Sequence, residues 1–119
     1  MLFTGDAGDA AEQRFLGEGI DLHADVLKVG HHGSAYSSSP EFIAAVHPRY
    51  AIISVGRHNM FGHPAPSTIA TLQHFGAEVY RTDENAAVTL VCDGSIFQAP
   101  LAEEPSSGKR AHYGVVWPN

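Results

Sequence analysis

The sequence predicts an α/β layer of mainly parallel strands alternating with helices and closed by an antiparallel hairpin. Three observations predict it. Short apolar runs alternate with helical patterns over residues 1–81, and the first three runs each end in a glycine-bearing loop. Residues 50–55 are almost unbroken in apolar side chains, the pattern of a strand covered on both faces. Asp93-Gly94 stands between two further short runs, as a two-residue hairpin turn does.

Each element follows from local chemistry. Residues 1–4 read as a strand stopped by Gly5-Asp6-Ala7-Gly8. Asp9 stands three before Glu12, a capping-box-like start for a helix through about Gly17, with Ala11, Phe15 and Leu16 on one face. Residues 26–29 form the next strand, running into Gly30-His31-His32-Gly33-Ser34. Ser39-Pro40 is an N-cap followed by proline at the first helical position. Phe42, Ile43 and Val46 supply that helix's buried stripe, and His47-Pro48 ends it. After the strand at 50–55 comes a loop over 56–65. A helix then starts near Pro66, with Ile69, Leu72 and Phe75 inward and Gly76 as its stop. Residues 78–81 and 87–92 are two more strands, the second turning at Asp93-Gly94 into residues 96–98. Beyond Pro100 the composition shifts to Glu, Pro, Ser and Gly, so residues 1–99 are read as the folded part and 100–119 as a flexible tail.

Bulk properties restrict the function. A chain of 119 residues, 44% hydrophobic, is long enough to bury a real core. A net charge of −6 supplies no basic field for a free-standing DNA-binding module. It leaves room for an enzyme of phosphodiesters, because bound metal ions reverse the sign locally. Cys92 is the only cysteine, which excludes an internal disulfide, and it reads as a small buried hydrophobe. No apolar run approaches the roughly 20 residues of a spanning helix, and the first residues do not make a signal peptide, so the chain as written reads as soluble.

Chemistry is expected where loops leave the carboxyl ends of strands. The first such loop offers Asp6. By itself Gly-Asp-Ala-Gly is weak evidence, since aspartate is common in turns before helices. The second offers His31 and His32, each with a glycine beside it. Paired histidines there are uncommon as packing and point to a metal or phosphate role for at least one. Ser34 and the amides around Gly33 suit a phosphate oxygen. His63, in Gly62-His63-Pro64, is read evenly as a substrate contact or as a loop residue without a role. Asp21, His23 and Asp25 precede a strand at its wrong end and read as solvated connector. His47 fits a helix-end dipole contact, and His58 a surface loop. Lys109, Arg110, His112, Tyr113 and Trp117 make a basic-aromatic patch, read as tail packing in preference to nucleic-acid stacking.

Taken in order, strand, Thr4-Gly5-Asp6-Ala7-Gly8, helix, strand, Val29-Gly30-His31-His32-Gly33-Ser34 and helix resemble the second half of metallo-β-lactamase-fold hydrolases. The loop Asn59-Met60-Phe61-Gly62-His63-Pro64 and the later Ala77-Glu78-Val79-Tyr80-Arg81-Thr82 resemble the terminal domain of ComEC-type DNA-internalisation competence proteins. The resemblance spans Met1 to Gln98. It implies the C-terminal half of an αββα sandwich, with a mixed sheet and flanking helices. It further implies two divalent ions, zinc or alternatively manganese, sharing a hydroxide nucleophile. Asp6 matches the carboxylate that bridges both ions, and His31 the last histidine of the metal set. His32, Ser34 and His63 then fall in supporting or substrate-contact positions.

In such sites the ions lower the pKa of bound water from about 16 toward roughly 7 and sit about 3.5–4 Å apart. The reaction implied is phosphodiester hydrolysis, with DNA as partner of the intact protein in the bacterial inner membrane. The H-x-[HD]-x-D-H loop of the superfamily is absent, and no histidine precedes Asp6. A catalytic zinc takes three protein ligands plus water, so the chain is expected to be a fragment that is inactive alone and prone to self-association. Its missing partners would be the first half of the domain and the membrane channel part. Two other readings stand beside this one: a metallo-hydrolase of phospholipid or phosphorylcholine esters, and a non-catalytic interaction module.

Overall fold

In the computed structural model, residues 1–102 are described. The elements are β1 (Leu2–Phe3), α1 (Asp9–Gly17), β2 (Val26–Lys28), a 3-10 turn (Gly30–Gly33), α2 (Pro40–Val46) and β3 (Tyr50–Ile53). They continue with α3 (Pro66–His74), β4 (Glu78–Arg81), α4 (Thr82–Asn85), β5 (Val88–Thr89) and β6 (Leu101–Ala102). Strands β1 to β4 form one sheet in the order β1-β2-β3-β4, every pair parallel. The α/β class and the parallel sheet are therefore as the alternating pattern predicts.

Register sorts the side chains into two faces. Leu2, Leu27, Ala51 and Val79 align across the four strands. They point to the face where α1, α2 and α3 bring Phe15, Phe42, Ile43, Val46 and Leu72. Phe42, Ile43 and Val46 are fully buried, each worth roughly 1.5–3 kcal/mol of transfer from water. On the opposite face Val26, Tyr50 and Ile52 are covered by Tyr80, Val88, Leu90 and Phe97. All four residues of β3 are buried, as a strand packed on both faces requires.

The caps explain where helices start and stop. The Ser39 side chain accepts from the Phe42 N–H at 3.3 Å and caps α2, with Pro40 as its first residue. At the end of α3 the Gly76 N–H donates to the Gln73 carbonyl and the Ala77 N–H to the Leu72 carbonyl, with Gly76 at φ +85°. That pair of bonds is the Schellman closure, and it needs a left-handed residue at Gly76.

Several expectations are corrected. The Asp9–Glu12 capping box does not form: Gly8 is the N-cap of α1 and makes no side-chain cap bond. Glu12 is instead buried, and its carboxylate accepts from the Ser38 and Ser39 N–H groups at 2.6 and 2.9 Å. It caps a neighbouring helix in place of its own. The terminal hairpin does not join the main sheet. Near Asp93-Gly94 the pairing shrinks to one bridge between Cys92 and Phe97, and β5 pairs antiparallel with β6. The segment uses Val88, Leu90 and Phe97 to cover the Val26–Tyr50–Ile52 face instead of extending the edge. Cys92 is exposed, not a buried hydrophobe, because it flanks the tip of that turn. From residue 103 on, the predicted tail and its basic-aromatic patch lie outside the described residues.

Candidate functional site at the carboxyl edge of the sheet

Because the strands are parallel, the loops after β1, β2 and β3 emerge side by side. The loop after β1 is a tight turn, with the Ala7 N–H donating to the Thr4 carbonyl at 3.0 Å and Gly5 at φ +56°. It leaves Asp6 exposed. Among the described residues no hydrogen bond or ion pair occupies the Asp6 carboxylate.

Two glycines weld the neighbouring loops to the histidine pair. At Gly30 a Cβ would lie 2.8 Å from the Thr4 Oγ1 and 3.2 Å from the Ala7 carbonyl, so only glycine admits the first loop this closely. The His31 N–H donates to the Gly5 carbonyl at 2.8 Å across that contact. At Gly33, with φ +80°, a Cβ would lie 2.6 Å from the Pro64 Cβ. There the Ala65 N–H donates to the Gly33 carbonyl at 2.8 Å, tying in the loop after β3. The glycines that made the motif conspicuous in sequence are thus its points of contact.

Between them His31 and His32 take left-handed conformations, φ 49° and 53°, and both are exposed. Histidine enters that region more readily than bulky or β-branched residues. The His32 Nδ1 lies 2.6 Å from the Ser54 carbonyl. A carbonyl only accepts, so Nδ1 carries the proton there and a neutral ring keeps its lone pair on Nε2. Among the described residues the His31 ring has no such tether, and its centroid is 5.8 Å from that of His63. His63 also lies nearly parallel to Phe61, at 5.9 Å and 21°. Ser34 is buried, and its Oγ accepts from the Tyr36 N–H at 3.2 Å, so that lone pair serves the local turn. A cleft of about 360 Å³ opens here, lined among others by His31, Ser34, Tyr36, Phe61 and His63.

Positive charge at this edge is already engaged. Arg81 donates to both Asp83 oxygens, at 3.0 and 2.8 Å, and pairs with Glu84 at 3.0 Å. The hydrogen bonds to Asp83 raise the Arg81 pKa, and the same bonds hold the Asp83 carboxyl below its ordinary value. Among the described residues no group of three or more histidine, cysteine, aspartate or glutamate side chains is placed to hold a metal ion. Asp21, His23 and Asp25 are exposed in the connector before β2 and form no such group. His47 is the left-handed C-cap of α2, and His58 is exposed in its loop.

Asn59 is a residue whose part was not read from the sequence. Its Oδ1 accepts from the His63 N–H at 2.9 Å, while its Nδ2 donates to the His63 and Gly56 carbonyls at 2.7 and 3.1 Å. An amide side chain that mimics a peptide in this way fixes the loop carrying Phe61 and His63. Its place four residues before His63 was visible; its bonding was not.

Fold and edge together define a parallel α/β domain that presents an aspartate and three histidines on adjoining strand-end loops. Its curated relatives are ComEC-type competence proteins, and the chain is homologous to one segment of them. It is 41% identical to ComE operon protein 3 of Bacillus subtilis over 87 residues, covering 73% of this chain and 11% of that protein. It is 38% identical to Competence protein ComA of Neisseria gonorrhoeae over 89 residues, 74% of this chain and 13% of that one. It is 41% identical to Recombination protein 2 of Haemophilus influenzae over 104 residues, 85% of this chain and 12% of that one. The chain therefore spans about an eighth of the length of these relatives. No protein-family model matches it, and no solved structure matches it.

Proposed function

We propose that this chain is the second half of a metallo-β-lactamase-fold domain which, in an intact competence protein, hydrolyses DNA phosphodiesters during uptake. One observation carries the reading. The His31 N–H to Gly5 carbonyl bond, made possible by Gly30, holds the Asp6 loop against the histidine loop at the carboxyl edge of the sheet. The homology to competence proteins supports DNA as the polymer concerned.

In the intact domain Asp6 and His31 would be among the groups that hold two divalent ions, zinc or manganese, which would supply an activated water there. His32 competes with His31 for its place, since its Nδ1 is anchored on Ser54 and its Nε2 is left to accept. The described residues alone do not complete an ion site. The remaining ligands are assigned to the part of a competence protein that this chain does not span. Such a protein would sit in the bacterial inner membrane. Among the described residues no helix is long and apolar enough to cross one.

The test compares this chain with a longer protein that also carries a histidine-rich loop. The longer protein is expected to hold two equivalents of metal and to cleave DNA, while this chain alone does neither. Asp6→Ala in the longer protein is expected to lower cleavage by at least about a hundredfold, with His31→Ala and His32→Ala separating ligand from supporting residue. Cleavage indifferent to Asp6→Ala would end the reading. A second reading is a non-catalytic interaction module. A longer protein that folds, binds no metal and cleaves nothing would establish that module instead.

A further inference from the structure

The rim of the cleft beside His31 carries rings that neither the core nor the proposed chemistry uses. Tyr36 and Phe61 both line it, and each is 78% exposed. Beside Phe61, Met60 is 92% exposed. Leaving such a ring in water forgoes the gain of burying it. The exposure is imposed by a built loop, not a loose one. Asn59 makes three hydrogen bonds within the loop, and the Gly33 carbonyl holds its far end at Ala65. His63 backs the Phe61 ring in a nearly parallel stack.

We propose that Phe61 and Tyr36 form a nucleobase subsite, in which an unpaired base stacks on Phe61 with Tyr36 as the second ring of the cleft. The proposal rests on the reading of the intact domain as acting on DNA, and it assigns which part of the strand this rim holds. Charge selects the ligand. Among the described residues no lysine or arginine lines the cleft. Arg81 is paired with Asp83 and Glu84, and Arg57 donates to the Asp83 carbonyl at 3.4 Å. With a net charge of −6 besides, phosphate attraction is weak here and affinity must come from a π-face. A duplex turns its phosphates outward and keeps its bases stacked on each other, so it gains nothing from Phe61. An unpaired strand gains one stacking contact per ring. The cleft, at about 360 Å³, is within the usual size of a small-molecule site.

The test is fluorescence anisotropy with the present chain in EDTA, so that metal chemistry cannot contribute. The probes are a labelled single-stranded oligothymidylate, an abasic strand of the same length, and a duplex. The thymidylate strand is expected to bind more tightly than either control. Phe61→Ala is expected to weaken it by about tenfold. Phe61→Tyr should retain binding and Phe61→Leu should not, because leucine keeps apolar area without a π-face. Equal affinity for the abasic strand, no detectable binding of any strand, or Phe61→Ala and Phe61→Leu variants that bind like the parent would each overturn the subsite. Base-selective binding in EDTA, with no cleavage by the longer protein, would keep the subsite and remove the hydrolase. DNA cleavage with no preference for bases would do the reverse.

Discussion

Glu12 is a side chain whose position and sequence setting disagree most. The residue is 1% exposed, and its carboxylate serves two N–H groups at the start of α2. Hydrogen bonds to a charged acceptor are worth about 1.5–3 kcal/mol each, and removing the acceptor strands both donors. Glu12→Ala is therefore expected to cost about 3 kcal/mol in urea-induced unfolding, and Glu12→Gln, which keeps one acceptor oxygen, about half of that. Unfolding midpoints identical to the parent would refute the assignment. Thr82 is similar in kind. Its hydroxyl accepts from the Val55 N–H at 2.8 Å and donates to the Val55 carbonyl at 3.0 Å, closing the end of the β3 strand run. Asp83 supplies the pH dependence. Its folded pKa is lowered by the hydrogen bonds from Arg81, so its stabilisation is full above the unfolded value of about 4 and fades as pH falls through the folded value. The pair is partly exposed, so the effect is small. The stability gap between the parent and Asp83→Asn is expected to narrow as pH drops below about 4, read from urea midpoints across pH. A gap that widened in acid would give the sign as wrong.

At the scale of elements, the loops matter more than the helices they connect. The N-cap of α2 is an ordinary one, and Ser39→Ala is expected to cost about 1 kcal/mol. Gly33 has two separate demands on it, a left-handed φ of +80° and a Pro64 Cβ only 2.6 Å from any added Cβ. Gly33→Ala is expected to destabilise the fold by about 2 kcal/mol or more and to loosen the union of the second and third loops. Calorimetry together with amide exchange at Ala65 would check this, and protection equal to the parent would contradict it. Gly30 has one demand, the approach of Thr4 and Ala7. Both glycines were conspicuous beside the histidines, yet what each one admits depends on residues more than 20 positions away.

For the molecule as a whole, the sheet ends at β1 and β4 among the described residues. Register puts Phe3 on the same face as Lys28 and Ile52, but outside the cluster that Val88, Leu90 and Phe97 cover, and Phe3 is 68% exposed. An exposed edge with an apolar ring is a template for pairing with another chain. The purified chain is expected to show a mass that rises with concentration in light scattering, and Phe3→Lys to suppress the rise. A constant monomer mass for the parent would count against it.

The residues alone settled much of the local structure, though not the cap of α1 or the pairing beside Asp93-Gly94. Helix starts at Pro40 and Pro66, the stop at Gly76, the two-sided burial of β3 and the order of strand and helix follow from dihedral preference and hydrophobic period. Asp6, His31 and His63 were visible as side chains at strand ends for the same reason. Tertiary structure decided which distant groups meet. Glu12 reaches Ser38 and Ser39, Thr82 reaches Val55, His32 reaches Ser54, and the terminal segment packs on Tyr50 instead of extending the sheet. These choices depend on the register of four parallel strands whose loops lie far apart along the chain, and no short-range pattern encodes that register.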